Sequence, residues 1–156
     1  MFHKITNLPS ELASGAIERA VNSFIQESRV LDVPLNKDGL FNQIIENIAS
    51  IILFKTNPTG QFWIEIDDKG EVVTWALAHM AKDVDNTLCF IATDAWVRKD
   101  FRFKPEVKKW FEELRKEAKR NMCKHFIIPS SRNTKAYCRF LGGGFHKYVT
   151  LLKEDL

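Results

Sequence analysis

The hydrophobic period of the chain changes along its length, and the order of these changes constrains the fold more than any other feature. Before residue 53, apolar residues recur every three or four positions in two stretches, as in amphipathic helices. After a turn signal at 57–60, three runs rich in β-branched and aromatic residues are separated by short polar turns. These runs predict an antiparallel meander of three strands, at 61–66, 72–80 and 88–97.

The first predicted helix covers residues 9–26, and Pro9 suits its first turn because the missing N–H is not needed there. Its apolar stripe consists of Ala13, Ala16, Ile17, Ala20, Val21 and Phe24. The second helix follows Asn36 or Asp38, either of which can cap it. Its buried face is predicted to consist of Leu40, Phe41, Ile44, Ile45, Ile48, Ile51 and Ile52. Residues 30–35, which include a proline, are predicted to be an extended connection.

Beyond the third strand the pattern alternates again between helix and strand. The predicted elements are a helix at 105–121, a strand at 125–129, a helix at 133–141 and a strand at 145–152. Another strand is compatible with 2–6. Since strand–helix–strand units require crossovers, we expect an α/β (α+β) fold with a mixed central sheet and helices on both faces. A length of 156 residues favours a single domain.

Composition excludes several classes of protein. No run of 18 apolar residues is present, so no membrane span is predicted, and residues 1–5 lack the apolar core of a signal peptide. The spacing of Cys89, Cys123 and Cys138 suits neither a disulfide framework nor a metal site. Each cysteine is therefore expected to be a buried, reduced thiol, and a cytoplasmic location is expected.

Positive charge is concentrated in one segment. Residues 98–124 contain eleven basic and five acidic residues, a net charge of +6, so the rest of the chain carries −3 of the total +3. Such a segment can bind an anionic partner, such as a phosphate, a nucleic acid or an acidic protein face. It can equally be a solvated helix face with intrahelical ion pairs.

The C-terminal part of the chain resembles the GNAT superfamily of N-acetyltransferases. That family typically shows Asn, then Ala three residues later, an aromatic residue at seven, and Gly-Phe at eleven and twelve. The matching residues here are Asn133, Ala136, Phe140, Gly144 and Phe145. Glycine before the last strand is physically sensible because a helix must end there.

A second resemblance covers residues 97–114. In the family, a strand ending in Val is followed by a basic residue and then by a glycine-rich loop that opens a helix and binds the cofactor pyrophosphate. Val97 and Arg102 match this pattern, whereas the glycine positions hold Phe103, Pro105 and Val107. Pro105 lacks an N–H and the other two side chains add bulk, so neighbouring basic side chains would have to compensate.

The resemblance implies transfer of an acyl group from acetyl-CoA to an amine, a small molecule or a protein, without a covalent enzyme intermediate. It also implies that the strand ending at Val97 diverges from the 125–129 strand and holds the pantetheine arm. The cofactor contacts implied in this way are Val97, Arg102, Phe103, Lys104, Lys108, Asn133 and Phe140.

Acyl transfer to an amine needs a base, and in this family often a proton donor. Asp94, near the end of an apolar strand, and His79, in the preceding strand, are the candidates for the base; each is otherwise a structural residue with local partners. The family often has Tyr as proton donor where this chain has Phe140, which cannot donate. Tyr137 is the candidate substitute, and its alternative role is packing.

Two other functions stay open at the level of sequence. The missing glycines and tyrosine favour a non-catalytic GNAT-fold binding or structural protein that has lost acetyl-CoA binding. The basic segment 98–124 would then be a partner-facing surface. A different anionic ligand, bound by the same basic cluster, is the third alternative.

Overall fold

The computed structural model describes residues 2–6, 15–27, 36–83, 85–102 and 104–128 of the protein. The elements in these residues, in chain order, are β1 (His3–Ile5), α1 (Ala16–Glu27), α2 (Lys37–Ile52), β2 (Gly60–Ile66), β3 (Val72–Lys82), β4 (Leu88–Val97), α3 (Pro105–Arg120) and β5 (His125–Ile127). None of these helices is both long enough and apolar enough to cross a bilayer.

One five-stranded sheet contains all the described strands, in the order β1-β2-β3-β4-β5. Neighbouring strands from β1 to β4 are antiparallel to one another, whereas β5 runs parallel to β4. The predicted meander and the mixed sheet are both confirmed. The parallel pair requires a crossover, which α3 supplies between β4 and β5.

Helices cover both faces of the sheet, as predicted. On one face, α1 and α2 pack against alternate residues of β2 and β3, including the fully buried Phe62 and Trp75. On the other face, α3 packs Trp110, Phe111 and Leu114 against residues of β2, β3 and β4. This alternation arises because successive strand side chains point to opposite faces of the sheet.

Local chemistry explains where two of these elements begin. The Oδ1 atom of Asn36 accepts a hydrogen bond from the Gly39 N–H at 3.0 Å, so Asn36 rather than Asp38 caps α2. Pro105 occupies the first turn of α3, as its fixed φ allows. The predicted extended connection at 30–35, helix at 133–141 and strand at 145–152 lie outside the described residues.

The prediction of buried cysteine thiols is correct for Cys89 and wrong for Cys123. Cys89 is fully buried in β4, whereas Cys123 is only half-buried in the turn between α3 and β5. This turn passes through Met122, which is 84% exposed and has a φ of 57°. A tight surface turn leaves its residues less covered than a strand does. Cys138 lies outside the described residues.

A buried polar network joins α3 to the edge of the sheet. The Glu117 carboxylate accepts hydrogen bonds from Lys4 Nζ at 2.8 Å and Gln61 Nε2 at 3.2 Å, and Trp63 Nε1 donates to Gln61 at 3.0 Å. Burial raises the pKa of Glu117, but the hydrogen bond and charge of Lys4, together with the side chains of Asn121 and Arg120, outweigh burial and hold the pKa below its ordinary value of 4.5. The ionised carboxylate is therefore the form that stabilises this network.

Glu117→Gln is expected to lower the free energy of unfolding by about 1.5–3 kcal/mol at neutral pH, because hydrogen bonds to a charged group are lost. Since folding depresses the pKa of Glu117, the wild-type advantage exists above the unfolded-state value of 4.5 and disappears as pH falls through the lower folded-state value. Urea unfolding followed by circular dichroism from pH 7 to pH 3 measures both effects.

The matched control for this substitution is Glu113→Gln on the same helix. Glu113 pairs with Lys116 at 2.6 Å, and both side chains are well exposed. An exposed ion pair of this kind contributes little, so a change within about 0.5 kcal/mol is expected. Equal effects of the two substitutions at pH 7 would contradict the role assigned to Glu117.

Candidate active site

In the part of the chain that the structure describes, β5 pairs with only the first part of β4. Within the described residues, the parallel pairing joins Cys89, Phe90 and Ile91 to the three residues of β5, and β4 then continues for six residues to Val97. Backbone N–H and C=O groups of a strand beyond its neighbour can pair with an extended ligand. The end of β4 is therefore a candidate binding edge.

A β-bulge interrupts β4 at the point where it leaves β5. Leu77 of β3 lies opposite Asp94, whereas the next residue, Ala78, lies opposite Ala92, so Thr93 is the extra residue. The Thr93 hydroxyl donates to the Leu77 carbonyl at 3.4 Å. A bulge changes the direction of the following side chain and is frequent next to active sites.

The residue that follows this bulge is Asp94. It lies opposite Leu77, which belongs to the core beneath α1 and α2, and residues directly opposite in an antiparallel pair share a face. Asp94 is half-buried, and burial raises the pKa of its carboxyl group, an effect that the neighbouring Thr93 side chain only partly offsets. A carboxylate with a raised pKa is better matched to proton transfer near neutral pH.

The imidazole of His79 lies on the same face of the sheet as Asp94. His79 follows Leu77 by two residues along β3, and its partners across the sheet are Ile91 and Gly60. It is half-buried. The fold thus brings the two predicted bases to one face of neighbouring strands, next to the bulge.

In the loop between β4 and α3, backbone N–H groups donate to carbonyls of the same loop. It contains a 3-10 turn over Lys99–Phe101. The N–H groups of Phe101, Arg102 and Lys104 donate to carbonyls within the loop at 2.9, 3.3 and 2.9 Å. The Val107 N–H donates back to Lys104 at 3.2 Å, and Pro105 has none. These amides are therefore not directed outward as an anion cradle.

Arg98, the first basic residue of this loop, is held by two carboxylates and an aromatic ring. The Arg98 guanidinium binds Asp67 at 2.9 Å and Asp100 at 2.9 Å, and it lies 5.0 Å from the centre of the Phe101 ring. Asp100 and Asp67 raise the pKa of Arg98, and the guanidinium in turn lowers the pKa values of Asp67 and Asp100. Arg98 thus ties the loop to the turn between β2 and β3.

The predicted phosphate-binding residue Arg102 bends back towards the end of β4. Its Nε donates to the Val97 carbonyl at 2.9 Å, and its Nη2 forms an ion pair with Glu27, the last residue of α1. Trp96 Nε1 donates to the same Glu27 oxygen at 3.2 Å. The end of α1, the end of β4 and the loop therefore meet at one carboxylate.

Two further predicted cofactor residues are exposed around the start of α3. Lys104 places its Nζ 3.7 Å from the centre of the Phe101 ring, and Lys108 lies one turn into the helix. Val97 is half-buried, with its side chain against the α3-side core. The remaining predicted site residues, which lie outside the described residues, are Phe103, Asn133, Tyr137 and Phe140.

Some basic side chains of the segment 98–124 form ion pairs with carboxylates on the same helix, α3. On α3, Arg115 pairs with Glu112, and the other two such pairs are Lys116 with Glu113 and Arg120 with Glu117. Two further carboxylates of the segment lie near its start: Asp100 is in the 3-10 turn of the loop, and Glu106 is in the first turn of α3. No group of three metal-ligating side chains comes together in the part of the chain that the structure describes.

No family model and no curated protein matches this sequence. Solved structures match it over nearly its whole length. A Pyrococcus furiosus protein assigned as an acetyl transferase is 13% identical, with a TM-score of 0.72 over 100% of this chain and 99% of that one. Glucosamine-6-phosphate N-acetyltransferase of Arabidopsis thaliana is 18% identical, with a TM-score of 0.63 over 99% and 98%. Aminoglycoside 6'-N-acetyltransferase of Acinetobacter haemolyticus is 11% identical, with a TM-score of 0.66 over 100% and 99%.

The chain has the GNAT fold. This confirms the architecture that the resemblance implied. The acceptors in the names of these proteins differ, a sugar phosphate in one and an aminoglycoside in another. At such low identity the fold is shared, while an acceptor cannot be transferred from them to this chain.

Sequence reasoning missed Glu27 as a residue of this candidate site. It is 75 residues from its ion-pair partner Arg102, and it follows the last residue assigned to the first predicted helix. No spacing or motif connects the two positions. The only signal in the sequence is a carboxylate at the C-terminal end of a helix, where the macrodipole disfavours negative charge, so a nearby cation is expected.

Proposed function

We propose that the protein transfers an acyl group from an acyl-CoA, with acetyl-CoA as the expected donor, to an amine. The observation that carries this proposal is the coincidence of three features in a GNAT fold. These are the end of the β4–β5 pairing as far as the chain is described, the bulge at Thr93 and the half-buried carboxyl group of Asp94 directly after it. A strand edge that can pair with an extended ligand and the proposed proton acceptor, Asp94, are adjacent there.

In this function, Asp94 accepts the proton that the amine loses as its nitrogen forms the new N–C bond. The C–S bond of the donor thioester breaks, and the proton finally resides on the released CoA thiol. His79 is the alternative base because it lies on the same face of the sheet. Tyr137 stays the predicted proton donor for the leaving sulfur.

The residues present fit the two halves of an acyl-CoA differently. The length of β4 that extends past β5 in the described residues suits the amide groups of a pantetheine arm, while the N–H groups of Phe101, Arg102 and Lys104 are bonded within the loop. Side-chain cations would therefore bind the phosphates. Arg102, Lys104 and Lys108 are the residues proposed for this, with charge pairing in place of a backbone cradle.

The second candidate function is a non-catalytic GNAT-fold protein that does not bind acyl-CoA. The observation that favours it is the internal hydrogen bonding of the amides in the loop before α3, together with Pro105. In that case, the exposed cations around the start of α3 would serve an anionic partner. The two candidates differ in whether the protein binds CoA.

Calorimetric titration with acetyl-CoA and CoA tests the leading proposal. The wild type is expected to bind with a Kd below about 1 mM, the weakest affinity that would suit an enzyme of this kind. Absence of heat and of thermal stabilisation at millimolar ligand would eliminate the acyltransferase function and leave the second candidate.

Arg102→Ala is expected to weaken CoA binding about tenfold, because a charge-assisted hydrogen bond to phosphate is lost. Arg120→Ala is the matched control, since Arg120 is two-thirds exposed at the opposite end of α3. Its affinity should stay within about twofold of the wild type. Equal weakening by both substitutions would indicate a non-specific charge effect and remove Arg102 from the site.

A further inference from the structure

Glu27 occupies a junction between three elements. Its Oε2 accepts from Trp96 Nε1 on β4 at 3.2 Å and pairs with Arg102 Nη2 of the loop. The two members of the ion pair are 22% and 25% exposed. Because solvent screens this pair only in part, the carboxylate is a strong local competitor for any anion that approaches the same guanidinium.

The second observation is a groove beside this ion pair, lined by both apolar and charged residues. It has a volume of about 250 Å³ and lies between α1 and the ends of β3 and β4. Glu27, Trp96 and Lys99 are among the residues that line it. The groove therefore offers space into which the Glu27 carboxylate can move when Arg102 takes another partner. Lys99 is a cation in the lining of the same groove.

We propose that Glu27 competes with the anionic ligand for Arg102, so that ligand binding exchanges one ion pair for another and frees the end of α1. This inference rests on the proposed function for its ligand, the phosphates of an acyl-CoA. Glu27 is a positioning residue in this scheme. It holds Arg102 against the Val97 carbonyl in the unliganded protein and lowers the affinity of the site for anions.

Glu27→Gln tests the competition directly. Glutamine keeps the size of the side chain and can still accept from Trp96, but it carries no charge to compete with phosphate. We expect CoA and inorganic pyrophosphate to bind about tenfold more tightly to this variant than to the wild type, measured by calorimetry at one fixed ionic strength. The matched control is Glu46→Gln, which makes the same change of net charge on the exposed face of α2 and should change affinity less than twofold.

A second measurement follows the junction itself in the wild type. The indole N–H signal of Trp96, assigned by its loss in Trp96→Phe, reports the hydrogen bond to Glu27 in an NMR spectrum. Addition of pyrophosphate should shift this signal in the wild type, because the carboxylate moves when it loses Arg102. The same addition should shift it less in Glu27→Gln, where no charge pair is exchanged.

The possible results separate this inference from the proposed function. Tighter binding by Glu27→Gln supports the competition, whether or not the wild type binds CoA; if only the variant binds, the wild-type function fails while the competition stands. Binding by the wild type with equal or weaker affinity in Glu27→Gln overturns the competition and leaves the proposed function intact. Failure of both proteins to bind either probe overturns both.

Discussion

Asp94→Asn is expected to lower the rate of acyl transfer by about 10²–10⁴-fold, the usual contribution of a positioned general base. CoA affinity should change little, because the carboxyl group lies next to the bulge rather than in the loop before α3. The rate is measured as CoA thiol release, with the primary amine that gives the fastest release with the wild type. A variant with at least half of the wild-type rate would remove Asp94 from the mechanism and leave His79 as the proposed base.

The pH dependence of this rate provides an independent test of Asp94. Burial raises the pKa of its carboxyl group above the ordinary 3.8, and only the ionised form can accept a proton. The wild-type rate should therefore fall as pH decreases through the raised pKa, at a higher pH than an exposed aspartate would give. Asp94→Asn should lack this acidic limb, while Asp68→Asn, at an exposed turn position, should keep it.

Stability should change in the opposite direction to activity at this position. A raised folded-state pKa means that the folded protein binds the proton more tightly than the unfolded chain, so stability decreases as pH rises through this range. At neutral pH the ionised Asp94 therefore lowers the free energy of unfolding. Asp94→Asn should have a higher Tm than the wild type at pH 7, which a carboxylate with a purely structural role would not show.

Phe62→Ala is expected to lower the free energy of unfolding by about 3–5 kcal/mol. Phe62 is 1% exposed and lies in β2, at the centre of the core beneath α1 and α2. Its truncation removes apolar contacts and leaves a cavity that the sheet cannot close. Domains of this kind have a total stability of about 5–15 kcal/mol, so the loss should be evident in urea unfolding followed by circular dichroism.

Phe54→Ala is the matched control for this core substitution, since the same atoms are removed from a side chain that is 70% exposed. Its stability should stay within about 0.5 kcal/mol of the wild type. A loss below about 1 kcal/mol in Phe62→Ala would contradict the packing of β2 against α1 and α2. Similar losses in both variants would show that Phe54 is covered in solution.

Local patterns in the sequence were sufficient for most of the described fold. The strand β4 has the predicted bounds, 88–97, because its run is largely apolar and is followed by charged residues. The other described strands and α3 differ from their predicted bounds by a few residues at most, where ends fray and polar residues begin. Short polar turns permit only antiparallel neighbours, so the order of β2, β3 and β4 followed directly.

The candidate site was predictable only in part. Asp94 was singled out as a carboxylate in an apolar strand, but the bulge before it has no signature in the sequence. The bulge exists because β3 and β4 change register between Leu77 and Ala78, which depends on how two strands pair. Likewise, the loss of the loop glycines was visible in the sequence, whereas the internal bonding of the loop amides was not.

The resemblance first seen at 97–114 and 133–145 thus correctly indicated the GNAT fold, because fold depends on periodicity, turn residues and the order of elements, and all three are local properties. The surroundings of the Arg102 side chain, in contrast, could not be derived from local sequence patterns. Its contact with Val97 is local, but its ion pair with Glu27 joins parts of the chain that meet only when α1 packs on the sheet. Whether a basic side chain faces a ligand or a carboxylate depends on such distant neighbours, and the competition for that one guanidinium is a property of the folded protein.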